Sequence, residues 1–559
     1  MQTRFKFFLF LSVCAILFLS SCSKTNKEGR YIPENAAFVV HLNGKSLNSK
    51  LPWEEIKQSE LFKGAYADTA TPAIVRSVMD NPENTGIDVK NDLLIFVIKD
   101  SSGGYVSVEG TVKDAAKFKQ FNNSVNKTPA TETEKDGIHY LSSDKMTASW
   151  KEEKFVMVMD APGLNNMNNM GKMGRNYDDS TTTATPGIKK DLNAIAAQIF
   201  ALKEDNSLGK EEKFTELMKE SGDIHFWVNI EALGMGSSDM PGMAALSMIN
   251  FKKIYEGSRA TGTINFENGK INADFTSYSG KEMTDLVKKY SGDKINSDML
   301  KRIPSKNVAG LFALNFKPEG IREYLKLLGV EGFANMGTAF LGFNLDDFIK
   351  ANKGDILLSV TDFTQDSSGR PDFSVIFSTS IGDKPSFGKL IEAGKKLAKD
   401  KLNGENGPSI AYNMNENYFA IGNKKQDVDK YITTANNSSL DFLDKISGNS
   451  SAAYINFQYL LKAMSREAQK DSLGALIYDA SVKMWDNLIF TGTGFKNGGS
   501  TSHLEINLLD KNTNSLKQLN NYLGILGVIK KKHDEQKKNA VVDGFEPATA
   551  DTSATLSTH

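Results

Sequence analysis

Leu19-Ser20-Ser21-Cys22 is the stretch of this 559-residue chain whose residue types and spacing specify a reaction most directly. The reaction is alkylation of a thiol. Small residues after an apolar run, closing on a cysteine, form a pattern that directs a diacylglycerol onto Sγ. Cleavage before the cysteine then frees an amino group for an acyl chain such as palmitate. Arg4 and Lys6 supply the positive start, and Phe7 to Leu19 is apolar but too short to span a bilayer. We therefore expect residues 1–21 to be a signal peptide, Cys22 to be the lipidation site, and residues 22–30 to be a polar tether. Acyl chains buried at ~0.8 kcal/mol per methylene make an anchor that does not readily leave the membrane.

No other group of residues carries so definite a chemistry. Cys14 lies in the signal, so the mature body has no free thiol for disulfides, thiol catalysis or thiolate metal sites. The histidines are His41, His139, His225, His503, His533 and His559, and no two stand at a metal-ligand spacing such as i, i+4. His41 and His225 lie two and four residues before an asparagine in strand-like runs. Their positions are not equivalent, since Trp227, Ala313 and Tyr454 stand where His41 would recur, so a structural role is expected. His139 and His503 have no partner that sequence identifies, and no G-x-S-x-G elbow is present. Gly44-Lys45-Ser46 imitates the end of a P-loop, but Val39 stands where the first glycine belongs. Asp100-Ser101-Ser102-Gly103 and Asp366-Ser367-Ser368-Gly369 have turn chemistry between strands. The expectation is no catalytic residue, no cofactor and no metal. With 67 basic and 68 acidic residues, no basic surplus points to a nucleic-acid partner.

The elements that would position any site repeat. Ile32-Pro33 precedes the apolar run 36–42 and Asn43, and Ile303-Pro304 precedes the run 308–314 and Asn315. Asp92-Leu93-Leu94-Ile95 recurs as Asp355-Ile356-Leu357-Leu358, and Asp114 with Phe118 recurs as Asp383 with Phe387, in order and at a nearly constant separation. A second pair interleaves: the runs ending at Asn229 and Asn456, each followed by Thr-Gly-Thr (261–263, 491–493) and Asn-Gly (268–269, 497–498). Two tandem halves follow, 31–300 and 301–535, each of two modules. Each module opens with a strand, an asparagine and a helix, because asparagine caps a first turn well; after Asn315 the helix is expected a little later, with Pro318 and Glu319 near its start. Asn-Gly favours type I′ hairpins. Strands are expected at 93–98, 105–112, 155–158 and 373–379, and helices at 115–125, 189–203, 386–399 and 514–530. The fold class is α+β: curved antiparallel sheets, each with helices on one face. Residues 162–187 read as a low-complexity loop, and 536–559 as a disordered tail. Met235, Met240, Met243 and Met248 are adaptable apolar residues, with core filling the default and a lipid or peptide groove the minority reading. Lys530-Lys531-Lys532 is read as a solvated helix end.

The signal, then Tyr31-Ile32-Pro33-Glu34-Asn35-Ala36 and the strand closing in His41-Leu42-Asn43, resembles a family of large lipoproteins of unknown function typical of the Bacteroidota. The resemblance covers most of the mature chain. It implies lipidation and an envelope location, and carries over no catalytic residue. The function expected is therefore a membrane-anchored, non-enzymatic binding or scaffolding protein. The alternatives are a carrier or chaperone for apolar ligands and, less favoured, a hydrolase acting on envelope polymers. Partners are the membrane, through Cys22, and an envelope protein or apolar ligand. Ser23, in place of an aspartate that would retain the chain in the inner membrane, favours the outer membrane. The tether Ser23-Lys24-Thr25-Asn26-Lys27-Glu28 lacks an acidic export cluster, which favours a periplasm-facing body over the cell surface.

Overall fold

A computed structural model describes residues 28–67, 72–125, 130–165, 190–233, 249–250, 252–365, 370–402, 410–433, 440–468 and 472–542. Cys22, most of the tether, all but 162–165 of the predicted loop, Asp366-Ser367-Ser368-Gly369, Met235–Met248 and residues 543–559 lie outside them. The described chain is mixed α+β, roughly 41% helix and 33% strand, with antiparallel strand pairs. It divides into two compact units, one of residues up to 42 with 85–233 and one of 43–84 with 234–559.

The first unit contains β1 (Phe38–Leu42), β2 (Leu93–Ile98), β3 (Tyr105–Thr111), β4 (Thr131–Lys135), β5 (Ile138–Ser142), β6 (Met146–Lys151), β7 (Lys154–Asp160) and β8 (Ile224–Asn229). They pair in the order β4-β5-β6-β7-β3-β2-β1-β8. Alternate residues along β1 and β2 are buried, the period of a strand with two unlike faces. Helices lie on both faces here, where one was expected. Leu192–Phe200 packs with Val39, Phe96, Val158 and Trp227 on one side, and Phe118 of helix Ala115–Val125 packs with Trp150 and Phe155 on the other. The reason is visible in β6, where Ala148 and Trp150 face one core while Thr147 reaches Asn193 across the other.

The second unit contains β9 (Arg259–Glu267), β10 (Lys270–Tyr278), β11 (Val308–Asn315), β12 (Asn352–Gln365), β13 (Pro371–Ile381), β14 (Ala411–Met414), β15 (Tyr418–Gly422), β16 (Ser451–Asn456), β17 (Trp485–Lys496) and β18 (Gly499–Leu508). Their order is β9-β10-β18-β17-β16-β11-β12-β13-β15-β14. One face carries a core in which Leu311, Ala313, Leu357, Ile376 and Ile489 meet Met299, Tyr431 and Ile446 from helices. The β17–β18 hairpin turns on Asn497 and Gly498, both at positive φ as a type I′ turn requires. At Asn268-Gly269 only Gly269 is positive. The Thr491-Gly492-Thr493 reading as a close approach holds at Gly492, where an added Cβ would lie 2.4 Å from Ser451 Oγ.

Two of the four module-opening asparagines cap a helix as predicted, and a third makes the same bond in a turn. Asn43 and Asn456 accept backbone N–H bonds from Ser46 and Tyr459, and Asn229 accepts one from Ala232. Asn315 does otherwise, for its side chain takes the N–H of Asp293 and donates to Asp355; the next helix begins at Gly320, the later start expected near Pro318 and Glu319. Asn456→Ala should cost about 1 kcal/mol in urea unfolding, the usual worth of a cap. The last helix runs Ser515–Val542, past residue 535 where the tail was expected to begin. Glu535, Gln536, Lys537 and Lys538 are good helix formers, so nothing local stops it there.

Candidate functional site

In the second unit the usual sorting of residues on a half-buried sheet is incomplete: hydroxyls share the covered face with the apolar core, and large apolar side chains stand on the open face. On the covered face of β12 and β13 lie Ser359, Thr361, Ser374 and Ser378, each at most 1% exposed. On the opposite face the large apolar side chains stay open: Phe312 is 41%, Leu358 40% and Phe377 37% exposed. These three are directly opposite one another across β11, β12 and β13. The register continues the row through Ile421 to Tyr412 on one side and through Ala453 to Phe490 on the other. Ser359 and Ser374 carry hydroxyls with no hydrogen-bond partner among the described residues. Each such group costs about 1–3 kcal/mol. A sheet that buries hydroxyls while opening phenylalanines gives up stability for a surface, and contiguous open apolar patches mark binding sites.

A cavity of about 930 Å³ lies in the same unit, where β11 leaves the sheet, lined by Tyr290, Asn315, Lys317, Arg322, Glu323, Lys350, Asp383 and neighbours. Its charges neutralise one another. Arg322 pairs with Asp346 at 2.8 Å and Glu331 at 3.2 Å, and the Asp346 bond raises the guanidinium further above its ordinary value. Lys326 holds the Glu323 carboxyl below its usual range, and the Ser386 hydroxyl does the same for Asp383. A catalytic acid needs the opposite, a carboxyl pushed up toward neutrality.

The first unit does hold such a carboxyl, but inside its core. Glu109 is fully buried on β3, and burial pushes it up while Lys154 pulls it back. The Lys154 ammonium is 2.6 Å away, an ion-pair contact poorly directed as a hydrogen bond. Lys154 also lies 5.0 Å from the Tyr31 ring centre. On the neighbouring strands, sequence reasoning missed a second buried group. His41 and His225 are not equivalent by repeat position, yet they are directly opposed in the β1–β8 register, with their Nδ1 atoms 3.0 Å apart. Only strand pairing could have revealed this, because the two lie 184 residues apart.

The remaining sequence candidates fall where turns and surfaces put them. Asp100 closes its turn by accepting from Ser102 N–H and Oγ–H, with Gly103 at positive φ. Gly44, Lys45 and Ser46 open the first helix under the Asn43 cap. His139 stacks on Trp150 of the adjoining strand at 5.0 Å, and His503 pairs at 2.8 Å with Asp274, a partner 229 residues away that sequence could not supply. Among the described residues no group of histidine, cysteine, aspartate and glutamate could hold a metal ion, and no helix is long and apolar enough to cross a membrane.

Three crystal forms of a protein designated TP0453 are similar to parts of the chain, at 8%, 8% and 7% identity and TM-scores of 0.24, 0.25 and 0.24. They cover 44%, 48% and 46% of this chain and 80%, 87% and 81% of theirs, a likeness too slight to assign a fold. No curated protein matches the sequence. A family pattern does, and it runs from the turn before β1 to beyond β15, taking in the histidine pair and the open row of Phe312, Leu358 and Phe377. Over residues 29–438, the chain belongs to the family described as a domain of unknown function, DUF4836.

Proposed function

We propose that this chain is a non-enzymatic, lipid-anchored binding protein of the bacterial envelope, and that its ligand is an acyl chain or a similarly apolar molecule. The observation that carries this is the open row of Phe312, Leu358 and Phe377 backed by buried serines. An acyl chain suits that surface better than a peptide does. Phe312, Leu358 and Phe377 offer no polar group, so an extended peptide would leave its N–H and C=O groups unpaired over them, at about 1–3 kcal/mol each. Titration of the full chain with a fluorescent fatty acid is the test, with saturable binding expected. Titration to high micromolar concentration without binding would refute the acyl reading and return the site to scaffolding of a protein partner.

The tandem-halves reading belongs to the same proposal. The pairing order β7-β3-β2-β1-β8 matches β15-β13-β12-β11-β16, and β9–β10 matches β17–β18 as a hairpin, which supports duplication of one ancestral unit. Anchorage rests on Cys22, which lies outside the described residues. Cys22→Ala should abolish incorporation of labelled palmitate and move the protein out of the membrane fraction. Undiminished label on the variant would refute lipidation. The body should face the periplasm from the outer membrane, and so resist protease added to intact cells.

A further inference from the structure

We infer that His41, His225 and Asp92 form a proton-binding site that closes the β1–β8 seam with one shared proton and opens it when a second proton arrives. Both rings are buried, His41 5% and His225 3% exposed, and the same cross-strand row continues from His41 through Leu94 to the buried Glu109. Buried imidazoles must have their nitrogens matched, and here the partners dictate where each proton sits.

The His225 Nε2 lies 3.0 Å from the Glu220 carbonyl oxygen, which can only accept, so Nε2 carries a proton. Neutral His225 then has a lone pair on Nδ1. The Nδ1 atoms of the two rings are 3.0 Å apart, room for one proton, so His41 supplies it from its own Nδ1. That leaves His41 Nε2 as the open position, 3.3 Å from Asp92 Oδ2. The first proton taken up therefore goes to His41 Nε2, beside a carboxylate, and completes an ion pair without disturbing the seam. A second proton has only His225 Nδ1 to occupy. It would set two N–H groups and two positive rings against each other at 3.0 Å, which the pairing cannot hold.

The groups that act on the His225 ring are the Glu220 carbonyl, His41, Asp92 and Asp223. Burial is the largest influence and lowers its affinity for a proton, the His41 charge lowers it too, and the Glu220 carbonyl and the two aspartates oppose them. Gly222 helps hold the ring in place: a Cβ there would lie 2.8 Å from His225 Nε2, so a side chain would push the ring off the Glu220 carbonyl. A histidine whose folded affinity is depressed leaves the unfolded chain binding more protons below its ordinary value, about 6.5. Stability is thus retained above that value and lost as pH falls, by up to about tenfold in the folding equilibrium per pH unit for one proton. The acid step breaks a strand pair, so it is local to the seam before it is global.

The chain has six histidines, few enough for nitrogen-15 histidine labelling of the whole protein to resolve each ring, with His41→Gln and His225→Gln assigning the two. Near pH 8 the expected pattern is Nε2–H on His225 and Nδ1–H on His41. On acidification His41 should become doubly protonated before His225. The same tautomer on both rings, or His225 charging first, would overturn the inference. Urea unfolding between pH 7.5 and 5 gives a second reading: the wild type should lose stability more steeply than His225→Gln, by one proton. Equal slopes would refute the site, and if His225→Gln does not fold, the wild-type spectra decide alone.

Discussion

Phe312→Asp and, as an independent variant, Leu358→Asp are each expected to weaken fatty-acid binding at least about tenfold while leaving the protein folded at the temperature of the assay. The two halves of that expectation have separate causes. A phenylalanine presents about 150–250 Å², and Phe312 has about two-fifths of its surface still open. Covering that remainder with a ligand at about 25 cal/mol per Å² contributes about 2 kcal/mol, more than the 1.4 kcal/mol of a tenfold change. An aspartate removes this term and adds a carboxylate that a bound acyl chain would desolvate. Some stability is lost as well, because about three-fifths of each side chain is covered in the free protein, so binding is compared at temperatures where both variants remain folded. Val89→Asp, at a comparably open apolar position in the first unit, serves as the control and should bind as wild type does. Undiminished binding in both row variants would remove the row as the site.

Lys154→Met should destabilise the first unit by about 3 kcal/mol at neutral pH, the order found when a buried ion pair loses one partner. Methionine keeps an apolar stem near Tyr31, so the change isolates the charge. Glu109 would then hold an unpaired carboxylate with no exposure to water. Its cheapest escape is to take up a proton, so its folded affinity for one rises further above the ordinary carboxylate value of about 4.3. A group raised in this way binds more protons folded than unfolded. Its penalty is absent below the unfolded value and grows as pH rises through the folded one. The deficit of Lys154→Met should therefore be large at pH 7 and shrink toward pH 4.5 in urea titrations against wild type. A deficit independent of pH would mean that the lysine contributes packing alone.

Much of the local structure was legible because its causes are local. Helix Ala115–Val125 and strand Leu93–Ile98 fall where periodicity puts them, and Asn43, Asn229 and Asn456 accept backbone amides three residues on. A cap depends on one side chain and the next turn. Asn315 shows the limit: its residue type is the same, but Asp293 and Asp355 arrive from other segments and claim its side chain. The strands β14 and β15 escaped because each is short and neither alternates strongly, so only pairing with β13 defines them.

The residue types that matter for a site behave in the same way. By itself the sequence determined the mixed α+β class, the turn chemistry at Asp100 and Asn497-Gly498, and the family, all of which follow from runs of neighbouring residues. It could not determine which face of Ile356-Leu357-Leu358 would be covered, because a continuous apolar run has no polar side to read. Packing against helices covered Leu357 and left Leu358 open. Nor could it bring His225 to His41 or Lys154 to Glu109, since strand register alone sets those contacts. A shift of one residue would turn every one of those side chains to the other face, so tertiary structure decided both the open apolar row and the buried proton.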